Sequence, residues 1–351
     1  MSICWREKFS RKRIAYKRYL PLFVGGSLYS VSCENLFLSP KGSYMRKFLA
    51  IMLSLTIAAS ILCGCDNEDK QGENTTEPYI ATEPSEPEPY PFLLNDVEIT
   101  AAPEKVVCLS PAITEIICEM GYRASIIGRS SYCNYPSAIS SVKDVGSTAN
   151  PDIKAIIGLN PDLVISSTSI AAKDIFEMEQ KGIKTVIIPS PTTLEGFLSI
   201  YTSIGLIFEG MFTGTETGEQ FFSETSKLLG NKDNFSMGKF VYITENYTAA
   251  GGNTFESSVL SCFGTNIAKD SENYGFDINT LLDSQPDILL VNSKYTKEML
   301  EENEVFSQLD AFKNDKIIFI DNVYFERPSA RIKEMVENMT DAYRQLAGAM
   351  Q

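Results

Sequence analysis

Two stretches lying 125 residues apart share one local grammar, and they constrain the fold of this chain more than any other feature. Asp152-Ile153-Lys154-Ala155-Ile156-Ile157 leads through Gly158-Leu159-Asn160 into Pro161-Asp162-Leu163-Val164-Ile165. Asp277-Ile278-Asn279-Thr280-Leu281-Leu282 leads through Asp283-Ser284-Gln285 into Pro286-Asp287-Ile288-Leu289-Leu290. The aspartate accepts the free N–H groups of a first helical turn. The proline stops the helix, and the apolar run that follows reads as a buried parallel strand. A module that occurs twice predicts two similar α/β lobes.

The flanking segments alternate strand and helix, as parallel sheets covered by helices require. In the first lobe the pattern predicts strand Val106–Ser110, helix Ala112–Met120, strand Ile126–Gly128, helix Ala171–Lys181 and strand Thr185–Ile188. The second lobe reads as strand Phe240–Thr244, helix Phe255–Cys262, strand Ile317–Ile320 and helix Arg331–Ala347. Between them, Thr193–Leu229 reads as a helix to about Phe208, a glycine-marked break, and a second helix from about Thr215 that serves as the rigid connector. The lobes are therefore assigned to 93–192 and 231–351, with the connecting helices at 193–230.

The N-terminal part has a different character. After Met45-Arg46-Lys47, the run Phe48 to Leu62 carries no charge. It falls short of the roughly 20 apolar residues of a bilayer span and fits the core of a secretory signal. Leu62-Cys63-Gly64-Cys65 closes it and resembles a bacterial lipobox, which makes 45–64 a signal peptide and Cys65 the lipidated first residue of the mature chain. Signals sit at the N-terminus, so the basic residues 1–44 are read as an upstream extension and Met45 as the start. Residues 65–92 are acidic and Pro-rich and form an extended tether.

Residues 1–64 hold 10 of the 31 Lys and Arg but only 2 of the 45 Asp and Glu, which leaves the mature chain at net −22. Such a surface repels phosphate backbones and argues against nucleic acid as a partner. Histidine is absent. That removes Ser-His-Asp catalysis, the usual zinc ligand sets and His-ligated haem together. Cys108, Cys118, Cys133 and Cys262 form no CxxC pair and read as small buried thiols, although their number would allow two disulfides.

Two lobes on one stiff element enclose a cleft, and ligands of α/β proteins sit at such interfaces and at the C-terminal ends of parallel strands. Ser110 opens a helix there, either as an ordinary cap or with N–H groups that meet an acceptor. Tyr132, Tyr135, Tyr247, Phe255, Tyr274, Tyr324 and Phe325 fall near loops, where flat faces suit a large planar ligand. Arg327 and Arg331 either pair with an anionic ligand edge or brace the last helix.

Pro103-Glu104-Lys105-Val106-Val107-Cys108-Leu109-Ser110-Pro111-Ala112-Ile113-Thr114-Glu115-Ile116 resembles the opening of the substrate-binding lipoproteins of ABC importers for cobalamin, haem and ferric siderophores. Tyr132-Cys133-Asn134-Tyr135-Pro136, Asn150-Pro151-Asp152, Ala250-Gly251-Gly252-Asn253-Thr254-Phe255, Gly264-Thr265-Asn266-Ile267 and Phe325-Glu326-Arg327-Pro328-Ser329 follow in the same order. The resemblance implies a class III periplasmic-binding-protein fold: two Rossmann-like lobes with parallel sheets, joined by a long rigid helix with limited hinge motion. It implies a cleft lined by Tyr132 or Tyr135, Thr148, Ser167, Tyr247, Tyr274, Phe325 and Arg327, to which the strand-end position adds Ser110, and no catalysis or resident cofactor.

It further implies an ABC permease and ATPase as partners and a bulky metal chelate (a corrinoid, haem or ferric siderophore) as cargo, with the membrane reached through the lipid. Cobalamin members carry tryptophans in this cleft, whereas the only Trp here is Trp5. The glutamates that usually meet the permease are replaced by Lys154 and Asn279, with Asp152 and Asp277 two residues away as substitutes. A sensor that binds without transport fits that departure. An enzyme does not fit, since no glycine-rich phosphate loop and no GxSxG occurs.

Overall fold

Apolar runs of three to five residues bounded by turns become the central strands. In the computed structural model, residues 88–230 and 236–348 are described in full, and residues 20–24 and 27–31 as backbone only. The expected signal peptide at 45–64, Cys65 and most of the expected tether lie outside the described residues. Residues 1–85 and 86–351 form two separate units. In the first, β1 (Leu20–Val24) and β2 (Ser27–Val31) pair antiparallel, a local structure that the reading of 1–44 as an upstream extension did not include.

The first elements described in the second unit are β3 (Phe92–Leu94) and β4 (Val97–Ile99), which form a hairpin at the boundary drawn between tether and first lobe. The first lobe then runs β5 (Val106–Cys108), α1 (Pro111–Glu119), β6 (Ile126–Arg129), β7 (Lys143–Asp144), α2 (Ile153–Leu159), β8 (Leu163–Ser166), α3 (Ala172–Glu179) and β9 (Lys184–Ile187). Its sheet has the order β7-β6-β5-β8-β9 and all pairings are parallel. After α4 (Leu194–Gly230) the second lobe follows: β10 (Lys239–Ile243), α5 (Phe255–Leu260), β11 (Thr265–Asn266), α6 (Leu281–Ser284), β12 (Ile288–Asn292), α7 (Lys297–Glu301), α8 (Asp310–Lys313), β13 (Ile317–Ile320), α9 (Val323–Glu326) and α10 (Ile332–Gly348). Its order is β11-β10-β12-β13, again parallel. Cys262 sits in the turn beyond α5 rather than on the helix.

The two echoed modules occupy equivalent places. Asp152 Oδ1 accepts the Ala155 N–H at 3.0 Å, and Asp277 Oδ1 accepts the Asn279 N–H at 3.0 Å. The second aspartate of each pair clasps the neighbouring strand: Asp162 Oδ2 accepts from Lys105 N at 2.8 Å, and Asp287 Oδ2 from Lys239 N at 2.7 Å. Each module so delivers its strand beside the first strand of its lobe.

The connector is folded back on itself. Gly210 adopts φ 79°, ψ −177° inside α4, a conformation glycine tolerates and L side chains avoid. The arms 194–209 and 211–230 run antiparallel. A Cβ on Gly205 would overlap the Gly214 carbonyl oxygen, and one on Gly218 would lie 2.6 Å from the Tyr201 oxygen. Phe197 and Phe222 meet edge to face with centroids 5.4 Å apart. The glycine-marked break read from the sequence is this turn.

Alternation along the central strands divides the core. Val106 and Cys108 of β5, with Ile288 and Leu290 of β12, face one layer; Val107, Leu289 and Val291 face the other. The first layer is shared. Ile113 and Ile116 of α1, Phe197, Tyr201 and Phe222 of α4, Phe255 and Val259 of α5, and Met335 of α10 form one apolar cluster across both lobes. The opposite faces keep separate cores.

Candidate functional site

In each sheet the strand order reverses beside the lobe's first strand, between β5 and β8 and between β10 and β12. The crevice beyond the carboxyl ends of strands at such a reversal is where open α/β sheets take ligands. Ser110 and Ser167 lie at the first reversal, Thr244 and Asn292 at the second.

On the first lobe, Ser110 is buried, and its Oγ accepts the Ile113 N–H at 3.4 Å. Of the two readings offered by sequence, it performs the cap. Thr148 Oγ1 donates to the Leu109 carbonyl at 2.6 Å and fastens its loop over the end of β5. Ser167 is half-buried just past β8. Cys133 is buried, its Sγ 3.2 Å from Thr114 Oγ1 and 3.3 Å from Ser130 Oγ. That anchor leaves the flanking Tyr132 and Tyr135 57% and 47% exposed. The described cysteines are free. Burial pushes the Cys108 thiol up to about 12 and those of Cys118 and Cys262 to about 11, which keeps them protonated and unreactive.

On the second lobe, a cavity of about 390 Å³ opens at the strand ends, lined by Thr244, Glu245, Asn246, Thr248, Glu256, Tyr274, Asn322 and Glu326. Tyr274 donates its hydroxyl to Glu256 Oε1 at 3.0 Å. Burial, reinforced by that carboxylate, pushes the phenol up to about 12. Tyr242 donates to Asn322 Oδ1 at 3.2 Å, and Asn322 Nδ2 to Glu326 Oε1 at 2.8 Å. Lys294 pairs with Glu245 at 3.3 Å. Asn292, unforeseen from sequence, is buried at the end of β12, and its Nδ2 has no hydrogen-bond partner among the described residues.

Tyr247 and Phe325 serve the packing of this lobe. Tyr247 stacks on Tyr295 with centroids 4.6 Å apart and donates to the Met299 carbonyl at 3.3 Å. Phe325 is buried against the Tyr242 ring, 5.2 Å between centroids.

The lobes meet through the segment 327–333. Arg327 Nη1 donates to Asn134 Oδ1 at 2.7 Å. Ser329 Oγ, buried, donates to Glu115 Oε2 at 2.7 Å. Arg331 Nη1 lies 3.8 Å from Glu115 Oε1. Lys333 pairs with Glu119 at 3.6 Å and Glu224 at 2.9 Å. Beside these contacts is a cavity of about 460 Å³ lined from both lobes, among others by Glu115, Tyr135, Pro136, Arg331 and Glu337. Glu115 and Ser329 fall inside the motifs that carry the resemblance but were not singled out as site residues. The available signal was a carboxylate next to the apolar stripe Ala112, Ile113 and Ile116 of α1.

Burial raises the pKa of Glu115 above its ordinary 4.5, against the pull of Ser329 and Arg331. The unfolded chain then releases this proton first as pH rises, so the group costs stability from pH 4.5 upward until the folded carboxyl ionises too. Denaturant melts should show wild type losing stability relative to Glu115→Gln across that window. A constant difference across that pH range would count against the buried, perturbed carboxyl.

Asp152 and Asp277 are exposed and act as caps, while Lys154 and Asn279 stand exposed beside them. Among the described residues, no cluster of three His, Cys, Asp or Glu side chains is placed to hold a metal ion.

Solved structures share this architecture. The vitamin B12 binding protein BtuF of Vibrio cholerae superposes with a TM-score of 0.54 at 20% identity, covering 70% of this chain and 98% of that one. The heme binding protein HutB of the same organism gives 0.58 at 17% identity, covering 68% and 98%. Among sequences, an uncharacterised ABC transporter substrate-binding lipoprotein, YvrC of Bacillus subtilis (strain 168), is 24% identical over 316 residues, 85% of this chain and 98% of the relative. A cobalamin-binding protein of Halobacterium salinarum is 20% identical over 269 residues, 70% and 71% of the two chains. Residues 106–324, more than half of the chain, match the periplasmic binding protein family. The two lobes, the parallel sheets reversing beside their first strands and this match lead to one conclusion: the chain belongs to the periplasmic binding protein family.

Proposed function

We propose that the chain is an extracytoplasmic, lipid-anchored substrate-binding protein of an ABC importer that captures a cobalamin-like corrinoid between its lobes and delivers it to a permease. Its work is binding, with no bond made or broken. The observation that carries the cargo reading is the chemistry of the strand-end cavity of the second lobe. Glu245, Glu256 and Glu326 line it beside hydroxyls and amides, with no arginine or lysine among its lining residues. Arg327 is engaged with Asn134. An anionic porphyrin would meet like charge there, whereas amide-fringed, neutral or cationic corrinoids find acceptors and donors. The relatives named for cobalamin and vitamin B12 point the same way.

A haem or ferric-siderophore cargo is the second reading, favoured by exposed Tyr132, Tyr135 and Tyr274, whose phenols could ligate iron. Titrating the purified protein with cyanocobalamin, cobinamide, haemin and a ferric siderophore, followed by absorbance, separates the two. Corrinoid binding is expected; saturable binding of haemin alone would overturn the first reading.

The anchor reading rests on Phe48–Leu62 and Cys65. Cys65→Ser should abolish incorporation of radiolabelled palmitate into the protein, and a variant that still takes up the label would contradict it. Delivery rests on Asp152 and Asp277 standing in for the usual docking glutamates. Asp152→Asn with Asp277→Asn should abolish uptake while leaving cargo affinity intact. Unimpaired uptake would favour another dock, or a sensor without a permease.

A further inference from the structure

Tyr135, on the first lobe, presents a half-exposed ring whose one face is covered by a residue of the second lobe. The Arg331 guanidinium carbon lies 4.8 Å from the Tyr135 ring centroid and 5.4 Å from that of Tyr324. The guanidinium therefore lies within cation–π reach of one tyrosine of each lobe, a double contact that its broad delocalised cation suits better than an ammonium. Its charge is held in place by Glu115, whose side chain is only 3% exposed. Ser329 occupies the other carboxylate oxygen. Withdrawing the arginine would leave that buried carboxyl without its ion-pair partner, which favours the guanidinium staying beside it, although Glu115 Oε1 and Arg331 Nε make no hydrogen bond among the described residues.

We propose that Arg331, clamped by Glu115 and Ser329, is a positioning residue that fixes the Tyr135 ring as a cargo platform and makes that platform depend on the register of the two lobes. The cargo role of Tyr135 rests on the binding-protein reading above; the clamp itself does not. A ring braced from behind loses little freedom when a flat ligand settles on its open face. An unbraced ring must be ordered at the moment of binding, which weakens affinity.

The test uses the full chain carrying Trp5→Phe and Tyr135→Trp, so that one indole reports the site. Time-resolved anisotropy and acrylamide quenching are read without ligand, then with cyanocobalamin and haemin, alongside thermal melts. Two variants are compared in that background. Arg331→Lys keeps the charge beside Glu115 but loses the plane. Glu115→Gln with Arg331→Met removes the charge pair without leaving an orphan.

The expected result is a larger fast anisotropy component in both variants. Arg331→Lys should melt with its parent yet bind the corrinoid about tenfold more weakly, equivalent to about 1.4 kcal/mol. Anisotropy in Arg331→Lys equal to that of the parent would overturn the planar clamp, since charge alone would then suffice. Failure of the parent to bind cyanocobalamin and haemin would sink the cargo reading, while ligand-free anisotropy would still decide the clamp.

Discussion

Gly205→Val is expected to prevent the connector from closing and to cost at least about 3 kcal/mol, because the new carbons would collide with backbone rather than with side chains that can turn away. The two arms of α4 approach so closely at Gly205, Gly214 and Gly218 that no rotamer relieves the overlap. A control separates this from the general effect of losing a glycine. A methyl group added at Gly158, in α2, would meet nothing within 4 Å, so Gly158→Ala should stabilise by about 0.5–1 kcal/mol. Urea melts of both variants check the pair of signs. Equal, small effects at the two positions would refute the close crossing of the arms.

Phe197→Ala is expected to uncouple the lobes. Phe197 is fully buried and touches Tyr201, Phe222 and Phe255, with ring centroids 5.4, 5.4 and 5.5 Å away. It thus ties both arms of the connector to α5 of the second lobe. Truncating such a ring costs about 3–5 kcal/mol. The loss falls on the layer that the lobes share, so calorimetry should show one cooperative transition splitting into two. A single transition that keeps its shape and shifts by less than about 1 kcal/mol would mean that the lobes do not rely on this layer.

What was legible in the sequence was what local chemistry decides. An aspartate cap, a proline stop and an apolar run are written within about a dozen residues, so both modules and their strands could be read directly. Gly210 was legible too, as a break in an otherwise continuous helical pattern. The hairpin of β3 and β4 was hidden because Pro-rich composition runs up to Tyr90 and Pro91 without a change of character. The two-residue strands β7 and β11 and the short helices α7 and α8 exist through pairing and packing that no window of sequence contains.

The site divided along the same line. The strand-end position of Ser110 followed from β5 itself, whereas Tyr274 was placed only near a loop and Arg327 only beside the last helix. Residue type could not say that Ser110 would cap, that Tyr247 would stack on Tyr295, or that Phe325 would turn inward. Glu115 and Ser329 are 214 positions apart, and only the completed fold makes them partners.

The apolar layer common to both lobes bears on how this molecule lets go. Separating the lobes widely would expose side chains from α1, α4, α5 and α10 to water, at about 25 cal/mol for every Å² uncovered. Lobes braced in this way have no inexpensive gaping state. Under the binding role proposed above, cargo would leave through small local motions of the cleft or through work supplied by a partner.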